Sequence, residues 1–280
     1  METAAAGSSA TALELLLEKV YKDSSYDFRQ YRQGTVIRRL DRRLQATGSR
    51  TYLDYMRFLD IHPQEYHRLN DYLTIHVSSF FRNANAFQQL AGWVLPELVI
   101  YKRKHEQRSL SFWSAACASG EEPYSIAIML IESLGQGLPE FDISINATDI
   151  NRQALSKAQA ARYRNTEGLS DTLLERYFDY SDGCYTLKDK VRRMVEFSYF
   201  NLLSKRNPFL AGADCIFCCN ILIYMQKQLQ ERVLNLLYES LNVPGYLILG
   251  EAETLTENLH DKLECLDARV KIYKKNGKTN

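Results

Sequence analysis

From Leu110 onward the chain alternates short apolar, β-prone runs with stretches of helical spacing: LSFWSA then PYSIAIMLIESL, ISINATD then RQALSKAQAA, DCIFCCN then QLQERVLNLLYESL, then YLILGE. Runs separated by about 10–15 helical residues cannot close as hairpins, so they restrict this part of the chain to βαβ crossovers around a parallel sheet. The fold class expected is α/β, a doubly wound Rossmann-like domain. Residues 163–200 break the rhythm. There CYTL and VEFSYF flank the charged KDKVRRM and read as a small antiparallel β insertion.

Ahead of the alternation, residues 11–75 carry helical spacing almost throughout. Leu13, Leu16, Leu17 and Val20 come first, then Ile37, Leu40 and Leu44 after a break at Gly34, then Tyr52, Tyr55, Met56 and Leu59 up to Pro63. This predicts a small all-α N-terminal domain over residues 1–80, followed by an α/β domain over 81–280. A further helix is predicted over 84–104, with Pro96 as its kink or its boundary.

The balance of 35 basic against 34 acidic residues gives a net charge of +1, so bulk electrostatics favour neither nucleic acid nor an acidic membrane. The N-terminal METAAAGSSATALELLLEKV has no basic leader, and Glu14 and Glu18 break its apolar run, so it reads as a tail entering a helix and not as a signal peptide. No window approaches 18 uncharged apolar residues, and a cytoplasmic protein without membrane insertion is expected. The six cysteines are too scattered for a disulfide scaffold. Cys215 and Cys218 form C-x-x-C, but in a strand positions three apart face opposite ways, so burial is the expected reason for these thiols and no metal site is expected.

In a parallel doubly wound sheet the ligand sits at the carboxyl ends of the strands, where the first strand-to-helix turn brings backbone N–H groups to it. Here that turn is CASGEE. Ala118, Ser119 and Gly120 allow close approach, but Glu121 and Glu122 follow at once and would repel a pyrophosphate, and no Walker lysine is present. The turn suits a ligand whose nearest group is cationic or neutral. S-adenosylmethionine, with its amino and sulfonium groups, meets that requirement. The next strand ends at Asp149, which has two readings: an acceptor for ribose hydroxyls, or the N-cap of the helix that begins near Arg152.

SFFRNANAF, WSAACASGEEPYSIAIML, ATDIN followed by ALSKAQAARY, VEFSYFNLL and FCCNILIYM together resemble the CheR-type chemotaxis receptor glutamate methyltransferases, in the same order and at similar spacing, over about residues 25–255. The resemblance implies a Rossmann-like methyltransferase domain, S-adenosylmethionine as cofactor, S-adenosylhomocysteine as product, and methylation of glutamates on the helical cytoplasmic domain of a receptor. It implies cofactor contacts from Ser78, Arg82, Glu122, Asp149, Asn201, Leu202, Cys219 and Asn220. Glu122 would hold the amino end, Asp149 the ribose, and Asn201 with Leu202 the adenine, while Arg82 and Tyr224 would lie near the transferred methyl. For Tyr224 the alternative is an aromatic packed at a strand end by Met225. The chain departs from the family at His76, Ser78, Cys219 and in GEAE near residue 250. Cysteine in place of the usual arginine at 219 removes a charge.

The helix QGTVIRRLDRRL places Arg38, Arg39, Arg42 and Arg43 in one positive stripe. As pattern alone this is a solvated face; with the resemblance it becomes a docking face for an acidic receptor helix. Family members that capture a receptor's C-terminal pentapeptide carry a glycine-rich loop in the β insertion. This chain has YSDGCY instead, which implies action independent of such a tail. A monomer is expected. Two other classes stay open: a signalling module that binds the cofactor with weakened catalysis, and a methyltransferase acting on RNA or a small molecule.

Overall fold

The computed structural model describes residues 2–74, 78–204 and 212–277, with side chains from Thr11 onward. The chain divides into two compact units, residues 1–75 with 224–229 and residues 76–223 with 230–280. The division falls ahead of the 80/81 boundary expected from sequence, because Phe80 is buried in the core of the second unit.

The first unit is helical: α1 (Glu2–Ser24), α2 (Gln33–Thr47), α3 (Tyr52–Ile61) and α4 (Glu65–Leu73). Leu16, Val20, Leu40, Leu59 and Leu69 share its core. A capping box starts α3, where the Thr51 hydroxyl accepts from the Asp54 N–H and the Asp54 carboxylate accepts from the Thr51 N–H. Pro63 separates α3 from α4. Three expectations are corrected. The backbone is helical from Glu2, where a tail entering the helix was expected. Gly34 lies in the first turn of α2, and the break comes earlier, at Ser25, which takes φ 63°. The buried stripe of α2 runs through Val36, Leu40 and Leu44, with Ile37 only partly covered.

The second unit opens with α5 (Ala84–Gln89), one π-helical turn (Leu90–Val94) and α6 (Leu95–Lys104). Of the two readings of Pro96, the boundary is the one found. It sits in the first turn of α6 directly after the π turn, whose wider spacing takes the Leu95 N–H to the Leu90 carbonyl and absorbs the irregularity that a proline imposes. Then follow β1 (Ser109–Ala115), α7 (Glu121–Leu134), β2 (Asp142–Asp149), α8 (Arg152–Ala160), β3 (Arg162–Tyr163), α9 (Asp171–Tyr177), β4 (Phe178–Ser181), β5 (Cys184–Leu187), α10 (Asp189–Arg192) and β6 (Val195–Tyr199). The chain ends with β7 (Ala213–Cys218), α11 (Lys227–Ser240), β8 (Leu241–Leu249), β9 (Glu264–Asp267) and β10 (Ile272–Lys275).

The main sheet has seven strands in the order β6-β2-β1-β7-β8-β10-β9. β6 through β8 are parallel, and the last two are antiparallel. The β9/β10 hairpin was not legible in the sequence. β3, β5 and β4 form a separate antiparallel sheet. The insertion is therefore smaller than the expected 163–200. VEFSY does not belong to it: β6 pairs with β2 in parallel at the edge of the main sheet, Ile145 opposite Val195. An edge strand keeps one side toward solvent, and its half-exposed alternation imitates an antiparallel ribbon. The true hairpin is β4 with β5, closed by Asp182 and Gly183 at φ 50° and 71°, the twist of a tight two-residue turn.

Phe112, Ile128, Phe217, Tyr246 and Ile248 lie in the core of this unit. At the amino end of β7 the buried Asp214 pairs with Lys102 at 2.8 Å and accepts from the Ser111 N–H and the Asn242 amide, so its charge is compensated on all sides.

Candidate active site

The chain runs from β1 to β2 and β6 on one side and returns to β7 on the other, so the strand order reverses between β1 and β7. A crevice at the carboxyl ends of these strands is where open α/β sheets bind ligands. Asn201 follows β6, Asp149 ends β2, Glu122 opens the helix after β1, and Cys219 with Asn220 follows β7. The parallel register brings all of them to one edge.

The β1 turn is held from several sides. The Cys117 N–H donates to the Thr148 carbonyl at 2.9 Å, and the Tyr163 hydroxyl donates to the Ser119 carbonyl at 2.8 Å. Ala116 and Ala118 both take left-handed φ, 63° and 49°, at a cost of about 1–2 kcal/mol each. Gly120 has φ 94°, and a Cβ there would stand 2.8 Å from the Ala158 Cβ. Its small size serves the packing of α8 against the turn, in addition to any approach by a ligand. Gly120→Ala is expected to destabilise the protein by about 2–4 kcal/mol, read as a lowered denaturant midpoint.

Asp149 is not the helix N-cap. Asn151 is, its side chain accepting from the Ala154 N–H at 2.8 Å. Asp149 instead ties the two loops together: one carboxylate oxygen accepts from the Ala118 N–H at 2.9 Å and the other from the Asn151 N–H at 2.8 Å. Each oxygen of a carboxylate can accept more than one hydrogen bond. Asn201 closes its own turn, its side-chain oxygen accepting from the Leu203 N–H at 2.9 Å. Leu202 lies in the same half-buried turn.

Glu121 and Glu122 occupy the first turn of α7, where the helix dipole favours negative charge. The Ser119 hydroxyl lies within hydrogen-bonding distance of both oxygens of Glu121. Glu122 accepts from the Ser114 hydroxyl at 2.6 Å. Its side chain keeps a partial opening to solvent, yet protein surrounds the carboxyl, and this desolvation pushes its pKa up to about 7. Hydrogen bonds from Ser114 and Cys219 pull the other way, the Glu253 carboxylate adds to the rise, and the Arg82 guanidinium offsets part of it. Such a carboxyl is completed by a cation. The ammonium end of S-adenosylmethionine supplies one, and the residues present fit that group.

Arg82 is exposed, but its backbone is anchored. Phe80 is buried against Tyr163 and Phe178, and the Phe81 N–H donates to the Ser125 hydroxyl at 2.9 Å. Gly168 presses on the same segment: with φ 92°, a Cβ there would lie 1.8 Å from the Phe80 carbonyl oxygen. The sequence reading missed Gly168, and nothing in its local pattern marks it. Gly168→Ala is expected to displace the segment and reduce methyl transfer at least tenfold, with cofactor affinity affected less. Ser78 is half-buried just ahead. The departure noted at His76 lies outside the described residues.

Tyr224 falls in the helical unit and Arg82 in the other. The Tyr224 carbonyl accepts from the Arg32 N–H at 2.8 Å, and Met225, buried, bridges to Tyr31. The positive stripe of α2 divides. Arg43 donates to the buried Glu65 at 2.8 Å, and Glu65 also accepts from the Tyr55 hydroxyl. Arg39 donates to the Tyr72 carbonyl. Arg38 and Arg42 are exposed. Removing Arg43 leaves a buried carboxylate whose other cation, Arg68, is 4.0 Å away and mostly exposed. Arg43→Ala is therefore expected to cost about 3 kcal/mol in a denaturant melt, whereas Arg38→Ala and Arg42→Ala leave stability within about 0.5 kcal/mol of wild type.

Burial raises the thiols of Cys215, Cys218 and Cys219 well above their usual pKa, so they stay protonated. Among the described residues no group of three or more histidine, cysteine or acidic side chains could hold a metal, and no helix is long and apolar enough to cross a membrane.

Comparison with protein families matches residues 76–272 to the SAM binding domain of CheR methyltransferase and residues 11–74 to its all-alpha domain. The chain belongs to the CheR methyltransferase family. S-adenosylmethionine is the cofactor of this family's matched domain, and the enzyme class is S-adenosylmethionine-dependent protein methyltransferase. A chemotaxis protein methyltransferase of Vibrio parahaemolyticus is 39% identical over 70% of this chain and 70% of its own. One from Borreliella burgdorferi is 29% identical over 88% and 89%. An uncharacterised 104.1 kDa protein of Rhodobacter capsulatus is 32% identical over 94% of this chain, which spans 27% of that protein's length.

Proposed function

We propose that this chain methylates glutamate side chains on the helical cytoplasmic domain of a chemoreceptor-like protein, giving glutamate methyl esters and S-adenosylhomocysteine. The observation that carries this reading is Glu122, a carboxyl that protein surrounds and the Ser114 hydroxyl holds at the carboxyl edge of the sheet, in a chain of this family. When bound, the cofactor supplies an electrophilic methyl group on a positively charged sulfur.

The acceptor glutamate is already ionised at neutral pH, with an ordinary pKa of about 4.3, so no general base is required. The chain has to align the acceptor and strip its water. Arg82, exposed on an anchored backbone, orients the acceptor carboxylate. Asp149 receives the ribose, the Asn201–Leu202 turn the adenine, and Cys219 and Asn220 border the amino end. Ser78 contributes a hydroxyl, and the Tyr224 hydroxyl, assigned through the family resemblance, donates near the reacting centre.

Arg38 and Arg42 are the exposed members of the α2 stripe and present charge to an acidic receptor helix. Replacing both with glutamate is expected to raise KM for the receptor at least tenfold without changing S-adenosylhomocysteine affinity, which steady-state kinetics would read. The short β4–β5 turn supports action independent of a receptor tail. The protein works in the cytoplasm, as a monomer.

The weakened-module alternative rests on Cys219 and on GEAE. The differing members of GEAE, Glu251 and Ala252, are exposed, while Glu253 is buried and engaged, so that motif gives the alternative no support, and Cys219 is left as its one motive. Incubation with methyl-labelled cofactor and a receptor cytoplasmic fragment tests the proposal. Label released as methanol by mild base supports it; label stable to base, or on RNA, contradicts it.

A further inference from the structure

Glu253 lies outside every group assigned above to cofactor or acceptor, yet it is 3% exposed and its carboxylate gathers four backbone donors. One oxygen accepts from the N–H groups of Gly250 at 2.8 Å and Asn220 at 2.9 Å, the other from those of Leu222 at 2.6 Å and Ile223 at 3.3 Å. These donors come from two loops, one after β7 and one after β8. Moving either loop would strand a buried charge, so the carboxylate locks both.

The first of these loops is not relaxed on its own account. Asn220 takes φ 62°, and the turn beyond it is pinned again where the Gln230 amide donates to the Leu222 carbonyl at 2.8 Å. The segment so held follows Cys219, whose thiol lies against Glu122, and runs directly into Tyr224.

We infer that Glu253 is a positioning residue for methyl transfer: by clamping residues 220–223 it sets Asn220 at the carboxyl edge of the sheet. This rests on the methyltransferase reading above. Purely structural service would instead lower stability and leave binding and turnover alone.

Glu253→Gln in the full chain separates the two. It replaces one acceptor oxygen with an amide NH2 that faces backbone donors. The expected result is an S-adenosylhomocysteine Kd raised at least tenfold, kcat lowered at least tenfold, and loss of hydrogen-exchange protection at the amides of Asn220, Leu222 and Ile223. Asp214→Asn, at the opposite end of β7, serves as the control: it is expected to lower Tm while keeping Kd and kcat within twofold of wild type. A Glu253→Gln protein that loses Tm but keeps Kd and kcat within twofold overturns the inference. If that variant does not fold, Glu253→Asp, which retracts the charge by one methylene, is read by the same criteria. A wild-type chain that neither binds the product nor transfers methyl contradicts the methyltransferase reading instead, and amide protection then decides the clamp by itself.

Discussion

Arg82→Ala is expected to lower methyl transfer about 100-fold while S-adenosylhomocysteine affinity stays within a few-fold of wild type. The asymmetry follows from where the guanidinium stands. It is solvent-exposed and offsets only part of the rise at Glu122, which is held at the Ser114 hydroxyl without it. The acceptor carboxylate, in contrast, has to be brought into line by a donor on a fixed backbone, and misalignment of about 1 Å costs on the order of 100-fold. Buried Phe80, the Ser125 hydroxyl and the close approach of Gly168 provide that backbone. Arg82→Lys should recover only part of the rate, because an ammonium lacks the planar fork that pairs with a carboxylate. Single-turnover kinetics beside calorimetric binding reads both quantities; unchanged turnover in Arg82→Ala would remove the residue from the reaction.

Glu122→Gln carries the second large effect, and it has opposite signs for binding and stability. Losing a charge-assisted contact to the cofactor's ammonium costs about 2–3 kcal/mol, so affinity at pH 8 should fall by about 30- to 150-fold. The ligand-free protein should meanwhile become more stable at pH 8. A carboxyl with an unfolded pKa near 4.5 and a folded value of about 7 binds its proton more tightly in the native state. Stability therefore declines as pH rises through that interval, and above about pH 7 the full cost, at most on the order of 3 kcal/mol, is present. Glutamine removes the cost. Glu253, also raised above its usual value by burial, changes in the same direction and remains in the variant. Thermal melts at pH 5 and pH 8, with and without ligand, would show whether this trade of stability for binding exists; equal melting in both proteins at pH 8 would count against it.

The parallel core of the fold was legible because alternation of strand and helix is a local signal, and LSFWSA, ISINATD, DCIFCCN and YLILGE all became strands of the main sheet. VEFSY was misplaced because an edge strand and an antiparallel ribbon share one pattern of half-burial, and only the partner, β2, tells them apart. Pro96 could be read as a boundary, but the π turn ahead of it could not, because such a turn has no signature in composition. At the site, Glu122 and Asp149 could be seen because charge at a strand-to-helix turn is conspicuous. Glu253 and Gly168 could not, since their importance lies in what approaches from distant parts of the chain: four amides in one case, the Phe80 carbonyl in the other. The stripe on α2 could be read as a stripe, but Glu65 and the Tyr72 carbonyl, which engage Arg43 and Arg39, lie on another helix.

The central claim is that a cationic nucleoside tail completes Glu122, and calorimetric titration of the purified chain with S-adenosylhomocysteine at pH 6 and pH 8, in buffers of different ionisation enthalpy, tests it most directly. One-site binding is predicted that weakens toward pH 6 by up to about tenfold per pH unit below about 7, with a proton released to the buffer at the lower pH. Absence of binding, or binding of equal strength at both pH values with no proton released, would contradict it.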